Sequence, residues 1–418
     1  MRKPHKTVVL TVGAGVVLLA VSIFILGGAT ERDIEAIKAT GVPVNWQEFS
    51  KLSLGDGKDA QPAYERFARN FYHLPADTQS AQYLLANRSV IFEPRENREK
   101  ATNKLRAAYS DFISASKLPT WRIGSTNVTL ATYIQVNDLC RAAPYEMARS
   151  EAESGNWKDA LALLSAMGRF NAQVEQNPAY TLFHAPNRMY QIYGELIVTK
   201  QHDAEALDGV IASLEQIPKE PDRRYYLSRY VVSDVQMFEN SAHYAETVPT
   251  DSLSGKFTSR FLQPKKVRAF ASKEIHMWRQ ALDQFPKGPL DWRTARDVLN
   301  SIYQQNVTQD DEENQIYSSA IAAAIKQCSV WGQTEALRKG TLMEAKLYQI
   351  RLRTGSFPKT LPVGDDAIDP FTDQPFVYRT TKVGNTFLMC GSQRIDLRPD
   401  FSDSVPNIPA HAGVFTKP

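Results

Sequence analysis

The residues able to do chemistry are few and far apart. Seven histidines, His5, His73, His184, His202, His243, His276 and His411, fall in no HExxH, HxH or HxxxH arrangement, so they form no zinc-hydrolase ligand set of the familiar kinds. No GxSxG elbow offers a serine nucleophile, and Gly255-Lys256 lacks the upstream glycine of a phosphate-binding loop. Glu274, His276 and Trp278 share one segment and could line part of a pocket. On a helix, residues two apart point away from each other, so packing or exposure is expected for them. Asp365, Asp366, Asp369 and Asp373 bring carboxylates close together, and calcium needs about six to eight converging oxygens. They lie between Pro and Gly without the spacing of a calcium loop, so turn and capping roles are expected. The tail aspartates Asp396, Asp400 and Asp403 are less specific still. Cys140, Cys328 and Cys390 show no CxxC and no metal-ligand spacing. Buried, unpaired thiols are expected, with one bridged pair the alternative in an oxidising compartment. From these residues no catalytic, cofactor-binding or metal residue is assigned, and a non-enzymatic role is preferred.

The elements that hold these residues belong to an ordinary folded protein. Of 418 residues, 43% are apolar and 23% charged, which excludes collagen, low-complexity linker and disordered tail for the whole. The length allows about two or three domains. A mean hydropathy of −0.37 excludes a multi-span membrane protein. Of the 49 Lys and Arg, Arg2, Lys3 and Lys6 precede an apolar run, which leaves 46 against 46 Asp and Glu. A chain in such balance has no global pull toward phosphate backbones, so no nucleic-acid partner is expected. The clusters Arg223, Arg224 and Arg229, and Lys265, Lys266 and Arg268, are offset by Asp310, Asp311, Glu312 and Glu313. Solvated helical faces are expected for both basic clusters.

Thr7 to Thr30 holds 24 residues without a charge. Its core, Val8 to Leu26, would reach about 28 Å as a helix, which matches a hydrocarbon layer of roughly 30 Å. Lys and Arg before the run keep the N-terminus cytoplasmic, and Glu31, Arg32 and Asp33 follow on the far side. The expected organisation is a cytoplasmic tail at 1–6, a transmembrane signal anchor in contact with the lipid bilayer at 7–28, and an extracytoplasmic chain beyond. Gly27 and Ala29 also have the small-residue spacing of a signal peptidase site, so cleavage after Ala29 is the alternative.

From about Glu31 to Thr354 the pattern is helical. Leu105, Ala108, Tyr109, Phe112 and Ile113 make one apolar stripe, and Asp159–Val174 and Asp203–Leu214 repeat the logic. Asn177-Pro178, Ile217-Pro218, Phe285-Pro286 and Gly288-Pro289 are the expected breaks. Strand-like alternation is limited to Ser89–Phe92 and Arg122–Thr129. Gly155, Trp157 and Ala160 followed by Leu164, Met167 and Pro178 resemble the second half of a tetratricopeptide repeat, with Met147 and Ala148 filling small-residue positions upstream. The resemblance implies an irregular, repeat-like helical-hairpin domain over 29–330 that presents a concave surface to protein partners.

The remainder, 331–418, reads as one helix, Glu335–Arg353, stopped by Gly355, followed by Ser356-Phe357-Pro358, Leu361, Asp369-Pro370-Phe371, Pro375-Phe376-Val377-Tyr378 and Thr386-Phe387-Leu388-Met389-Cys390-Gly391. This order resembles the C-terminal part of the major pseudopilins of type II secretion. It implies a C-terminal α+β module in which a small antiparallel sheet covers the helix. The whole is thus expected to be mainly α, with a transmembrane helix, a helical-hairpin domain and that module. Its expected role is binding or scaffolding of envelope proteins. A component of a type II secretion or pilus-like apparatus is the first alternative, and an envelope hydrolase the second.

Overall fold

The computed structural model of the protein describes residues 28–51, 58–86, 93–119, 121, 127–140, 142–175, 186–217, 223–241, 263–306, 319–380 and 386–390. The helices are α1 (28–39), α2 (Trp46–Lys51), α3 (Gln61–Tyr72), α4 (Ala76–Ala86), α5 (Arg95–Ser116), α6 (Asn127–Cys140) and α7 (Ala143–Glu153). They continue with α8 (Trp157–Glu175), α9 (Pro186–Thr199), α10 (Ala204–Glu215), α11 (Arg223–Glu239), α12 (Gln263–Gln284), α13 (Trp292–Asn306) and α14 (Ala320–Thr354). Strands β1 (Val377–Thr380) and β2 (Thr386–Met389) follow. The chain divides into two compact units, Met1–Leu52 with Asp222–Ser329, and Ser53–Pro221 with Val330–Pro418. Both take residues from the region expected to form one domain at 29–330.

In the first unit, α11 and α12 pack side by side, and α13 joins them. Val231, Val235, Ile275, Trp278, Leu299 and Ile302 are buried there, at the helical spacing that makes one apolar stripe per helix. Trp46 of α2 donates its indole N–H to Gln236 at 2.6 Å. Asp291 accepts from the N–H groups of Arg293 and Thr294 and so caps α13, a role that holds its carboxyl below the usual range although burial opposes it.

The second unit is a stack of helical hairpins around an aromatic core of Tyr64, Phe67, Phe71, Tyr109, Phe112, Trp121 and Phe170. The polar tips in this core are satisfied. Tyr64 donates to Gln173, Trp121 to Gln61, and Tyr109 to the carbonyl of Leu139. Between α7 and α8, Gly155 adopts φ 87°, a left-handed turn that suits glycine. Met147, Ala148, Ala160, Leu164 and Met167 are buried where these two helices meet.

The fold expected from the sequence is corrected. The described chain is mainly helical, and no helix among its described residues is long and apolar enough to cross a membrane. The expected span at 7–28 lies outside those residues except for Gly28. The C-terminal α+β module is corrected too. In place of a sheet layer, four residue pairs from Val377↔Met389 to Thr380↔Thr386 make one short antiparallel ribbon. Two causes are visible. Pro370 and Pro375 carry no backbone N–H, and the intervening backbone turns on Asp369. Phe376, Leu388 and Cys390 then sink into the same core as Leu337, Met343 and Leu347 of α14. The helix itself starts at Ala320, well before Glu335, since Ser319 caps it by accepting the N–H of Ala322. Gly355 ends it with φ 79°. The strand reading of Arg122–Thr129 also fails where it can be followed, because α6 begins at Asn127. That of Ser89–Phe92 lies outside the described residues.

Candidate functional site

Helix α12 carries the chemistry of the first unit on two opposed faces. Val267, Ala271, Glu274 and Trp278 recur every three to four residues and point into the core. Lys265, Arg268, Ser272 and His276 form the opposite stripe and line a cleft of about 490 Å³. Ala29, Thr30 and Asp33 of α1, Phe238 of α11, and Ala269 and Lys273 of α12 complete it. The cleft floor is apolar and its edge is cationic. Arg268 lies 4.5 Å over the Phe238 ring.

Asp33, the one carboxylate of the lining, is held from two sides. Arg279 donates to Oδ1 at 2.9 Å, and His276 Nδ1 lies 3.0 Å from Oδ2. Gln280 faces His276 Nε2 with its amide nitrogen at 3.0 Å, because its oxygen accepts from Asn306. This network places the imidazole proton on Nδ1, donating to Asp33, and makes Nε2 the acceptor. Both ring nitrogens are engaged, and through His276 and Arg279 the Asp33 carboxylate ties α1 to α12.

Behind the cleft lie two buried carboxyls, Asp234 and Glu274. Burial pushes Asp234 far above the usual carboxylate range, and the neighbouring Glu274 charge adds to it. Burial raises Glu274 as well, opposed by the Ile321 N–H and the Ser319 hydroxyl. Those donors sit at the start of α14, 2.8 Å and 3.1 Å from the Glu274 oxygens, where a negative charge is favoured. Among the described residues, Asp234 has only the Trp278 indole N–H, at 2.8 Å on Oδ2, and its Oδ1 has no partner. Both carboxyls are therefore raised, with Glu274 the better supplied with donors. Glu274 and Trp278 thus face inward and His276 outward, as residues on opposite helix faces must.

The other candidate positions are occupied by structural bonds. Asp365 pairs with Lys339 and Asp366 with Lys346. Asp369 accepts from the Phe371 N–H, the Thr372 hydroxyl and the Cys390 thiol, while Asp373 takes a left-handed φ of 55° in the same turn. Asp396, Asp400 and Asp403 lie outside the described residues, as do His5, His184, His243, His411, Gly255, Lys256 and the acidic run Asp310–Glu313. Cys140, Cys328 and Cys390 are buried, and no disulfide joins them. The basic cluster at α11 is not the solvated face expected: Arg223 and Arg229 are buried, and Arg229 lies against the Tyr230 ring. Lys265, Lys266 and Arg268 are exposed, but Lys265 and Arg268 edge the cleft.

Four buried acids among the described residues went unread in the sequence: Asp234, Glu344, Glu146 and Glu151. Glu344 on α14 has an Oε1 without a partner among the described residues, and burial holds its carboxyl well above the usual range. Glu146, 0% exposed, accepts from Arg149 and Arg188, and Arg149 also forks onto Glu195. A signal existed, since Asp234 stands in the stripe Val231, Val235, Phe238 where an apolar residue belongs. Comparison with protein-family models, with curated proteins and with solved structures finds no match to this chain.

Proposed function

We propose that the chain is a membrane-anchored, extracytoplasmic protein that works in the cell envelope by binding, not by catalysis. The observation that carries this reading is the cleft of the first unit. It has an apolar floor and a cationic edge, and its Asp–His pair is tied into a network that links α1 to α12. Its Ala29 and Thr30 belong to the uncharged run that supports anchoring, and Arg2, Lys3 and Lys6 before that run support a cytoplasmic N-terminus. In the second unit, stacked hairpins offer surface for protein partners in the manner of helical repeats.

The test is location. A reporter of export fused to the C-terminus is active outside the cytosol, and the intact chain stays with membranes through an alkaline wash. A soluble form lacking residues 1–29 removes the anchor, and a reporter active only inside the cell removes the whole reading. A second reading, membership of a type II secretion or pilus-like apparatus, rests on the pseudopilin resemblance. Co-fractionation with a secretion ATPase and pseudopilins is what it requires.

A further inference from the structure

We infer that the cleft of the first unit holds the headgroup of an anionic phospholipid from the leaflet facing that unit; this rests on the anchoring proposed above. Thr30, the last residue of the uncharged run, lines the cleft, and Asp33 stands one helical turn further on, so the end of the run and the cleft lie within about 5 Å along α1. A cleft so placed opens at the bilayer interface, where the available ligands have an apolar chain and a polar head. The lining matches both parts. Phe238 and Ala269 offer apolar surface, and Lys265 and Arg268, both exposed, present cations at the edge. Asp33 would repel a phosphate, but Arg279 and His276 hold its carboxylate. The volume of about 490 Å³ falls in the range of small-ligand sites.

Water-soluble probes separate the cleft from the anchor. The full-length chain in a neutral sugar detergent is titrated with dihexanoyl-phosphatidylglycerol, dihexanoyl-phosphatidylcholine or inorganic phosphate, and binding is followed by thermal shift. Saturable binding of phosphatidylglycerol, preferred about tenfold or more over phosphatidylcholine, is expected, as each cation near the headgroup adds attraction. Lys265→Ala with Arg268→Ala weakens it about thirtyfold, and salt weakens it further. Lys287→Ala, an exposed lysine away from the cleft lining, leaves it unchanged. Circular dichroism checks that each variant is folded. Equal affinity for the two lipids, saturation by inorganic phosphate at the same concentration, or unchanged affinity in the double variant overturns the inference. Loss of lipid binding in a chain that stays with membranes sinks the cleft alone. Intact binding by a chain that proves soluble sinks the anchor, and with it the leaflet as the lipid's source.

Discussion

Asp234 and Glu274 show what a carboxyl does when helix packing removes it from water. In the unfolded chain both ionise near pH 4, while in the folded unit burial holds both higher. Between those values the folded form binds more protons, so stability is fully present on the acid side and falls as pH rises through the folded range. The slope is at most about 1.4 kcal/mol per pH unit for each proton. Asp234→Asn keeps an acceptor for Trp278 and cannot ionise, so thermal unfolding from pH 5 to pH 8 should show a flattened slope and a higher melting point at the alkaline end. Glu274→Gln also cannot ionise, so it should flatten the same slope, while its single acceptor oxygen should lower stability at pH 4, where the loss of an acceptor is not offset by relief of a buried charge. In the second unit, Arg149→Met leaves the buried Glu146 with one cation fewer, and urea denaturation should show a loss of about 3 kcal/mol. A carboxylate is read from sequence as solvated unless its partners are known. Those partners, in the case of Asp234 and Glu274, stand 44 to 47 positions away, which is why the break in an apolar stripe is the only local warning.

Among the elements, stripes every three to four residues were legible and the close approaches between helices were not. Helix α5 spans Arg95–Ser116 with Leu105, Tyr109 and Phe112 buried, as its stripe requires. The contact between α8 and α10 depends instead on Gly209, where an added Cβ would stand 2.8 Å from the Trp157 ring and 3.1 Å from Leu161. Helix propensity alone makes Gly→Ala favourable by up to about 1 kcal/mol. At Gly209 the overlap reverses the sign, and Gly209→Ala should destabilise by about 1–2 kcal/mol in a denaturant titration. Shortening the ring with Trp157→Leu in the same chain should return most of that loss. The C-terminal hairpin was overestimated for a related reason. On β2 the expected alternation at Phe387 and Met389 is off by one: Tyr378 pairs with Leu388, and it is Leu388 and Cys390 that are buried with Phe376, in a hairpin of four pairs among the described residues.

For the molecule as a whole, charge balance is the property read most directly from composition. With 49 basic and 46 acidic side chains, three of the basic ones before the apolar run, the folded part has no net charge to draw it onto a polyanion. The full-length chain in neutral detergent should pass through a heparin column at about 0.15 M salt, and retention there would mean that the basic residues of one face outweigh this balance. Composition, the uncharged run at 7–30 and the helical stripes were determined by the sequence by itself, because each depends on residues near one another along the chain. Tertiary structure alone decided which charges are interior, since burial depends on the helix that arrives from elsewhere. It placed Asp33 against His276 across 243 positions, turned Arg223 and Arg229 inward, and drew the C-terminal hairpin into the core of the second unit. No local pattern encodes such meetings, because their free energy comes from surfaces that touch only after the chain has folded.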